Sequence, residues 1–211
     1  MSTVMTRTYA GVLGSDRRLR RFTGSGSPHA GILAGLGPSY DRAVIIRPAA
    51  ESDLPGVLEI HADAVARSTA IWTDVEPDLQ GRRDWLAAHS RPGTAAVVAV
   101  EGDLVVGYAS FGPFHAKDGY RHTVENSVYV REGRQGAGIG RSLLEALVAG
   151  ATEAGHHVMV ALVEAGNEGS VRLHRSLGFE DAGLLREVGV KFGRWLDLRY
   201  MTVMLDGTAA S

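Results

Sequence analysis

Between positions 135 and 140 the chain reads Gln135-Gly136-Ala137-Gly138-Ile139-Gly140. The residues before it, 124–130, read as a strand. Those after it carry Ile139, Leu143, Leu144, Leu147, Val148 and Ala151 on one stripe at helical spacing. A strand, a glycine-rich turn and an amphipathic helix in immediate succession require a sheet for that helix to pack on. Glycine lets the backbone approach a ligand closely. The free N–H groups at a helix start, with the positive end of its dipole, then make a site for phosphate oxygens. Arg131, Arg134 and Arg141 add charge beside the turn. The alternative is a strand-to-helix turn that binds nothing.

Two familiar phosphate loops do not fit. A P-loop ending at Gly140 would need glycine where Gln135 stands and lysine where Arg141 stands. The dinucleotide pattern G-x-G-x-x-G would need glycine at position 141 or 143, and these are Arg141 and Leu143. Neither a nucleoside triphosphate nor a nicotinamide dinucleotide is favoured.

Elsewhere the pattern predicts a strand at 44–47 and a helix capped by Ser52 or Asp53, with Pro55 in its first turn. Leu54, Val57, Leu58, His61 and Val65 would form the buried face of that helix. A second helix at 79–89 stops at Pro92-Gly93. Strands at 95–101 and 104–111 form a hairpin about Gly102-Asp103. After the strand at 124–130 come a helix at 139–154, a strand at 158–163 and a short helix at 170–177. Two strands within 183–205 turn near Gly193-Arg194. The class is α/β (α+β).

Composition narrows the chemistry. Net charge is −2 and the pI is near 6.4, so no global basic field draws the chain to nucleic acid or anionic membrane. Any anion must be held locally. Absence of cysteine excludes an acyl-cysteine intermediate and fits a reducing compartment. No apolar run approaches the roughly 20 residues of a membrane span, and a cytoplasmic location is expected. Residues 1–42, rich in Gly, Ser and Arg, read as a disordered tail or as the product of an upstream start. The domain is then 43–206, with 207–211 as a short tail.

The turn resembles [Q/R]-x-x-G-x-[G/A], the pyrophosphate loop of the GNAT superfamily of N-acetyltransferases. Downstream, Asn167, Ser170, Leu173, His174, Leu177, Gly178 and Phe179 are similar to that superfamily's N-x-x-[SA]-x-x-L-[YH]-x-x-L-G-F segment. Thr69-Ala70-Ile71-Trp72, Gly107-Tyr108-Ala109-Ser110-Phe111-Gly112, Gly119-Tyr120-Arg121-His122-Thr123-Val124-Glu125, Ser127-Val128-Tyr129-Val130 and Lys191-Phe192-Gly193-Arg194-Trp195-Leu196-Asp197-Leu198 resemble the phosphinothricin and methionine sulfoximine N-acetyltransferase branch. The likeness runs from about residue 46 to residue 205.

The resemblance implies a GNAT fold, a mixed central sheet of about six to seven strands flanked by about four helices. It also implies acetyl-CoA as cosubstrate and no metal. The backbone of Val128, Tyr129 and Val130 would pair with pantetheine, and Gly136, Ala137, Gly138, Ile139, Gly140 and Arg141 would hold the pyrophosphate. Asn167 would bond the pantetheine arm, although asparagine also favours a helix N-cap. The branch acetylates the amino group of small amino acids bearing tetrahedral sulfur or phosphorus, and a homodimer is expected.

Acetyl transfer needs a free amine lone pair, so a base must take a proton from an ammonium whose pKa lies above neutrality. Glu125, just before the Val128–Val130 strand, is the candidate, and its alternative is a solvated edge charge. His174, where many relatives carry tyrosine, or water would protonate the thiolate. Arg82, Arg121, Arg194 and the loop Lys117-Asp118-Gly119 are available for the acceptor's anionic groups, though each alone reads as surface charge. Gly112-Pro113-Phe114-His115 departs from the branch's Gly-Asp-Trp-Arg, and Asn126 stands where histidine is common. These changes leave the acceptor open. The rivals are an acyl-CoA-binding regulator without turnover, or an enzyme acting on a polyamine, an aminoglycoside or a protein N-terminus.

Overall fold

The computed structural model describes residues 43–205. The expected tails at 1–42 and 207–211 lie outside the described residues. Strand β1 (Ile45–Pro48) leads through a 3-10 turn at Glu51–Asp53 into α1 (Leu54–Arg67). Asp53 fixes this entry. Its Oδ2 accepts the Ala50 N–H at 2.8 Å, and Arg47 clasps both of its oxygens at 2.7 Å. The Arg47 guanidinium holds the Asp53 carboxyl below its ordinary range. The buried face of α1 is Leu54, Val57, Ile60 and Val65, with Leu58 and His61 only half-buried. Ile60, not Leu58, thus completes the stripe.

Helix α2 (Leu79–Ala88) starts at Asp78, whose Oδ1 accepts the Gly81 N–H at 2.7 Å. Next come β2 (Ala95–Glu101), β3 (Leu104–Pro113), β4 (Thr123–Val130), α3 (Ile139–Glu153) and β5 (Val158–Glu164). Helix α4 (Glu168–Arg175), β6 (Glu180–Lys191) and β7 (Arg194–Met204) complete the described chain. Helix α4 begins two residues earlier than its apolar pattern suggests because Asn167 Oδ1 accepts the Ser170 N–H at 3.0 Å and caps it. The seven strands lie in the order β1-β2-β3-β4-β5-β7-β6, and β4 with β5 is the parallel pair.

One face of the sheet is closed by α3, whose Leu143, Leu144, Leu147 and Ala151 are fully buried against Val106, Phe111, Met159 and Met201. Each such leucine contributes about 1.5–3 kcal/mol of burial. The other face packs Val57 and Ile60 of α1 on Val98, Val105 and Tyr108, with Trp85 of α2 at the margin. Strand β4 lies between the two cores. Val124, Val128 and Val130 join the α3 side, while Tyr129 joins the α1 side. By the two-residue period, Glu125 and Ser127 point the same way as Tyr129. Among the described residues no helix is long and apolar enough to cross a membrane.

Candidate active site

The parallel pair β4–β5 is short. Its register runs from Thr123↔Val158 to Asn126↔Ala161 and stops. Beyond it, β4 stays bonded to β3 as far as Gly107↔Val130, and β5 stays bonded to β7 as far as Glu164↔Leu198. Each strand is held by its outer neighbour, so the sheet opens between them. The edge of β4 from Ser127 to Val130 that would meet β5 faces a cavity of about 1070 Å³ instead. Unpaired strand N–H and C=O groups are a template for an extended amide-bearing ligand.

The glycine turn closes one end of this opening. Gly136 and Gly138 both line the cavity. Their φ values are +80° and +82°, and a Cβ at either would project into open space. A side chain there would be strained and would stand where a ligand must approach. Ile139 is buried and anchors the helix start. The first α3 bond runs from the Ser142 N–H to the Gly138 carbonyl at 3.0 Å, so the amides before it are free of intrahelical partners. Among the three arginines beside the turn, Arg141 lines the cavity. Arg131 is turned away to the Val105 carbonyl at 2.8 Å and Glu59 at 2.9 Å, and Arg134 to Glu101 at 2.8 Å. Arg141 is itself paired with Glu145 at 2.8 Å and bonds Ser176 Oγ at 3.2 Å, so the loop's positive potential comes chiefly from its amides and the helix dipole.

Glu125 lines the cavity where the two strands begin to part. Burial raises its carboxyl above the ordinary value, as suits a group that must accept a proton near neutrality. Its register partner on β3 is Gly112. The departure at Pro113-Phe114-His115 thus begins directly beside it.

His174 also lines the cavity but is 4% exposed. Its Nδ1 lies 2.8 Å from the Ser170 carbonyl, and its Nε2 lies 3.1 Å from Asn126 Oδ1. Asn126 Nδ2 donates to the Val160 carbonyl at 3.0 Å, which turns Oδ1 toward the ring. Burial lowers the pKa of His174, and a neutral ring has one N–H for two facing oxygens. The pair ties α4 to β4. Asn167 lines the cavity, and its Oδ1 caps α4.

The acceptor-side candidates are not gathered in the same way. Arg82, Lys117, Asp118, Gly119, Arg121 and Arg194 all stand outside the cavity lining. Arg194 opens β7 on an exposed hairpin, and Lys117 leads the exposed turn Asp118–Tyr120. Arg82 lies one layer behind the wall. Its Nη1 is 3.2 Å from His61 Nδ1, and its buried Nε has no partner in the fold. The Tyr108 hydroxyl is 2.7 Å from the same His61 nitrogen, and the Tyr108 ring stacks at 5.0 Å on Tyr129, a cavity residue. Burial, reinforced by Arg82, pushes His61 down to about 4. It is neutral at neutral pH.

Several lining residues carried no role in the sequence reading. Glu164 accepts from Thr69 Oγ1 at 3.0 Å and from the Gly166 N–H at 2.8 Å, and Trp72 stands nearby on the same wall. Thr69 and Trp72 belong to a recognised motif, but only the folded chain shows that Trp72 lines the cleft and that Thr69 braces Glu164 beside it. Among the described residues no cluster of His, Asp or Glu could hold a metal.

Residues 57–179 match the Acetyltransferase (GNAT) family. The chain belongs to this family. An L-methionine sulfoximine/L-methionine sulfone acetyltransferase of Pseudomonas paraeruginosa is 48% identical over 167 residues, 79% of this chain and 97% of that protein. A phosphinothricin N-acetyltransferase of Alcaligenes faecalis is 36% identical over 156 residues, 74% of this chain and 79% of that one. An acetyltransferase structure from Salmonella typhimurium with its cofactor acetyl-CoA superposes with a TM-score of 0.77. It is 46% identical, over 80% of this chain and 97% of that one. The mixed seven-stranded sheet with its helices is the GNAT fold, shared with that structure.

Proposed function

We propose that this chain transfers acetyl from acetyl-CoA to the amino group of a small amino acid or analogue of the methionine sulfoximine, methionine sulfone or phosphinothricin type. The observation that carries the reading is the parting of β4 from β5, with open space above the glycines of the turn at one end and a half-buried glutamate at the other. The turn suits a pyrophosphate because it offers amides and open space. The β4 edge suits a pantetheine because its amide groups repeat like a strand's. The thioester supplies an activated acetyl carbon. Glu125, directly or through water, takes the ammonium proton so that the amine can attack. The Val130 N–H polarises the thioester carbonyl, and His174 or water returns a proton to the sulfur. Asn167 steadies the pantetheine arm.

The amino-acid carboxylate and the sulfur- or phosphorus-bound oxygens need cationic partners. Arg82 is the best placed of the sequence candidates, because the Tyr108–Tyr129 stack connects it to the cleft and its Nε is unpartnered. The remaining candidates are Lys117, Arg121, Arg194 and the N–H groups of Asp118 and Gly119, which stand outside the cavity lining. The acidic pI and the apolar length of the helices favour a cytoplasmic enzyme without nucleic-acid or membrane partners. A homodimer is supported by the β6–β7 hairpin, which exposes Leu184, Leu185, Val188, Val190, Phe192 and Trp195.

Thiol release from acetyl-CoA, measured against phosphinothricin, methionine sulfoximine, methionine sulfone and ordinary amino acids, tests the assignment. Turnover preferring the tetrahedral analogues is expected. Acetyl-CoA binding with no thiol release across a broad amine panel would establish a regulator instead.

A further inference from the structure

Lys191 ends β6, and its side chain is 1% exposed. Its ammonium donates to the Thr73 carbonyl and lies 3.3 Å from the carboxylate of Asp74, which is itself 90% exposed. Burying an ammonium is costly unless hydrogen bonds and counter-charge meet it, and an apolar residue at such a place is often no worse for stability. Stability alone therefore gives little reason for a lysine here. What it holds is the segment between α1 and α2.

That segment is pinned elsewhere too. Two residues before Lys191, Gly189 lies under the Trp72 indole so closely that a Cβ would come 2.0 Å from Trp72 Cε3. Trp72 Nε1 donates to the Thr69 carbonyl at 2.8 Å, and Thr69 Oγ1 donates to Glu164 of β5 at 3.0 Å. Ala70, Ile71 and Trp72 line the cavity. None of these bonds involves the glycine turn or α3, so this wall can shift without disturbing the anion end.

We propose that Lys191 is a positioning residue for the acceptor, seating Trp72 on Gly189 so that the indole forms the specificity-determining wall of the acceptor's end of the cleft. The wall is apolar and flat, and it suits the methylenes of an unbranched amino-acid side chain. The proposal rests on the acetyl-transfer reading of the cleft.

The test compares Lys191→Met and Gly189→Ala with the parent enzyme, using KM for each substrate and the accessibility of Trp72. The latter is read by acrylamide quenching in a Trp85→Phe/Trp195→Phe background, where Trp72 is the one remaining tryptophan of three. Both variants are expected to raise the acceptor KM about tenfold and to increase quenching, while the acetyl-CoA KM stays within about twofold and kcat within about threefold. Gly189→Ala moves the indole without touching the charge, so it covers a Lys191 variant that fails to fold. Increased quenching with an unmoved acceptor KM would overturn the proposal. So would parallel loss in kcat and both KM values, which signals general loosening. If the parent acetylates an amine other than an amino acid, the acceptor class is wrong, and the same split is measured with that amine. If the parent releases no thiol from any amine, the acetyl-transfer reading fails first and this proposal with it.

Discussion

The two ends of the cleft are built differently. At the anion end the working atoms belong to the backbone: the amides before Ser142 and the β4 edge, kept open by glycines at φ near +80°. At the proposed acceptor end they belong to side chains drawn from distant segments, with Trp72 between α1 and α2, Glu125 on β4 and Glu164 on β5, and with Lys191 of β6 behind the wall. A backbone site depends on local geometry, and glycine spacing writes that geometry into adjacent residues. A side-chain site depends on tertiary assembly, which neighbouring residues do not encode. Changes at the acceptor end should therefore move acceptor parameters, and changes at the turn should move acetyl-CoA parameters.

The strongest attempt to break this division is Glu125→Gln, which keeps the shape and removes the proposed base. Loss of a positioned general base is expected to lower kcat by about 10²–10⁴ while the dissociation constant of acetyl-CoA stays within about twofold. Weakened acetyl-CoA binding would mean that the carboxylate belongs to the wrong end. In the parent, burial raises the Glu125 pKa, and a carboxyl in the proposed role of base must be ionised to act. The profile of kcat/KM against pH should then fall on the acid side, with a midpoint above the ordinary glutamate value. That limb should vanish in the residual activity of the glutamine variant.

Next in size is Gly138→Ala. A left-handed non-glycine residue costs roughly 1–2 kcal/mol, and the added methyl occupies the space above the turn. The acetyl-CoA KM should rise by about tenfold or more, with the acceptor KM little changed. Equal movement of both would show that the two ends are coupled through α3.

The same contrast explains what was legible beforehand. The element order, the hairpin at Gly102-Asp103 and the α3 stripe follow from periodicity and turn residues, and all are present in the fold. The exchange of Ile60 for Leu58 on α1 was not legible, because both fit a helical face and only the position of the sheet selects between them. At the site, Gly136, Gly138 and Arg141 could be read from one short stretch. The outward pairing of Arg131 and Arg134 could not, since Glu59 and Glu101 lie far away in sequence. Lys191 sat inside a recognised motif, yet its burial emerges only when β6 folds against Thr73.

A smaller effect separates two roles for His174. Both ring nitrogens face oxygens of the fold, so His174→Asn should cost about 1–3 kcal/mol of stability and lower kcat by less than about tenfold, with water supplying the thiolate's proton. A kcat loss of about a hundredfold without a change in melting temperature would instead make His174 the acid.

The smallest effect is expected at His61, which belongs to neither end but backs the acceptor wall through Tyr108 and Tyr129. Its folded pKa of about 4 lies below the ordinary 6.5. Between those values the unfolded chain binds more protons than the folded one, so stability falls as pH drops through that window and levels off below it. His61→Asn should flatten the decline, seen as a smaller change in urea midpoint between pH 6.5 and pH 4. His174 shifts in the same direction, so part of the slope should survive. An unchanged slope would mean that His61 is protonated in the fold, which requires the Tyr108 hydroxyl to accept from it and Arg82 to move away. Arg82 would then be the mobile element of the acceptor end, and its contact with substrate would depend on pH.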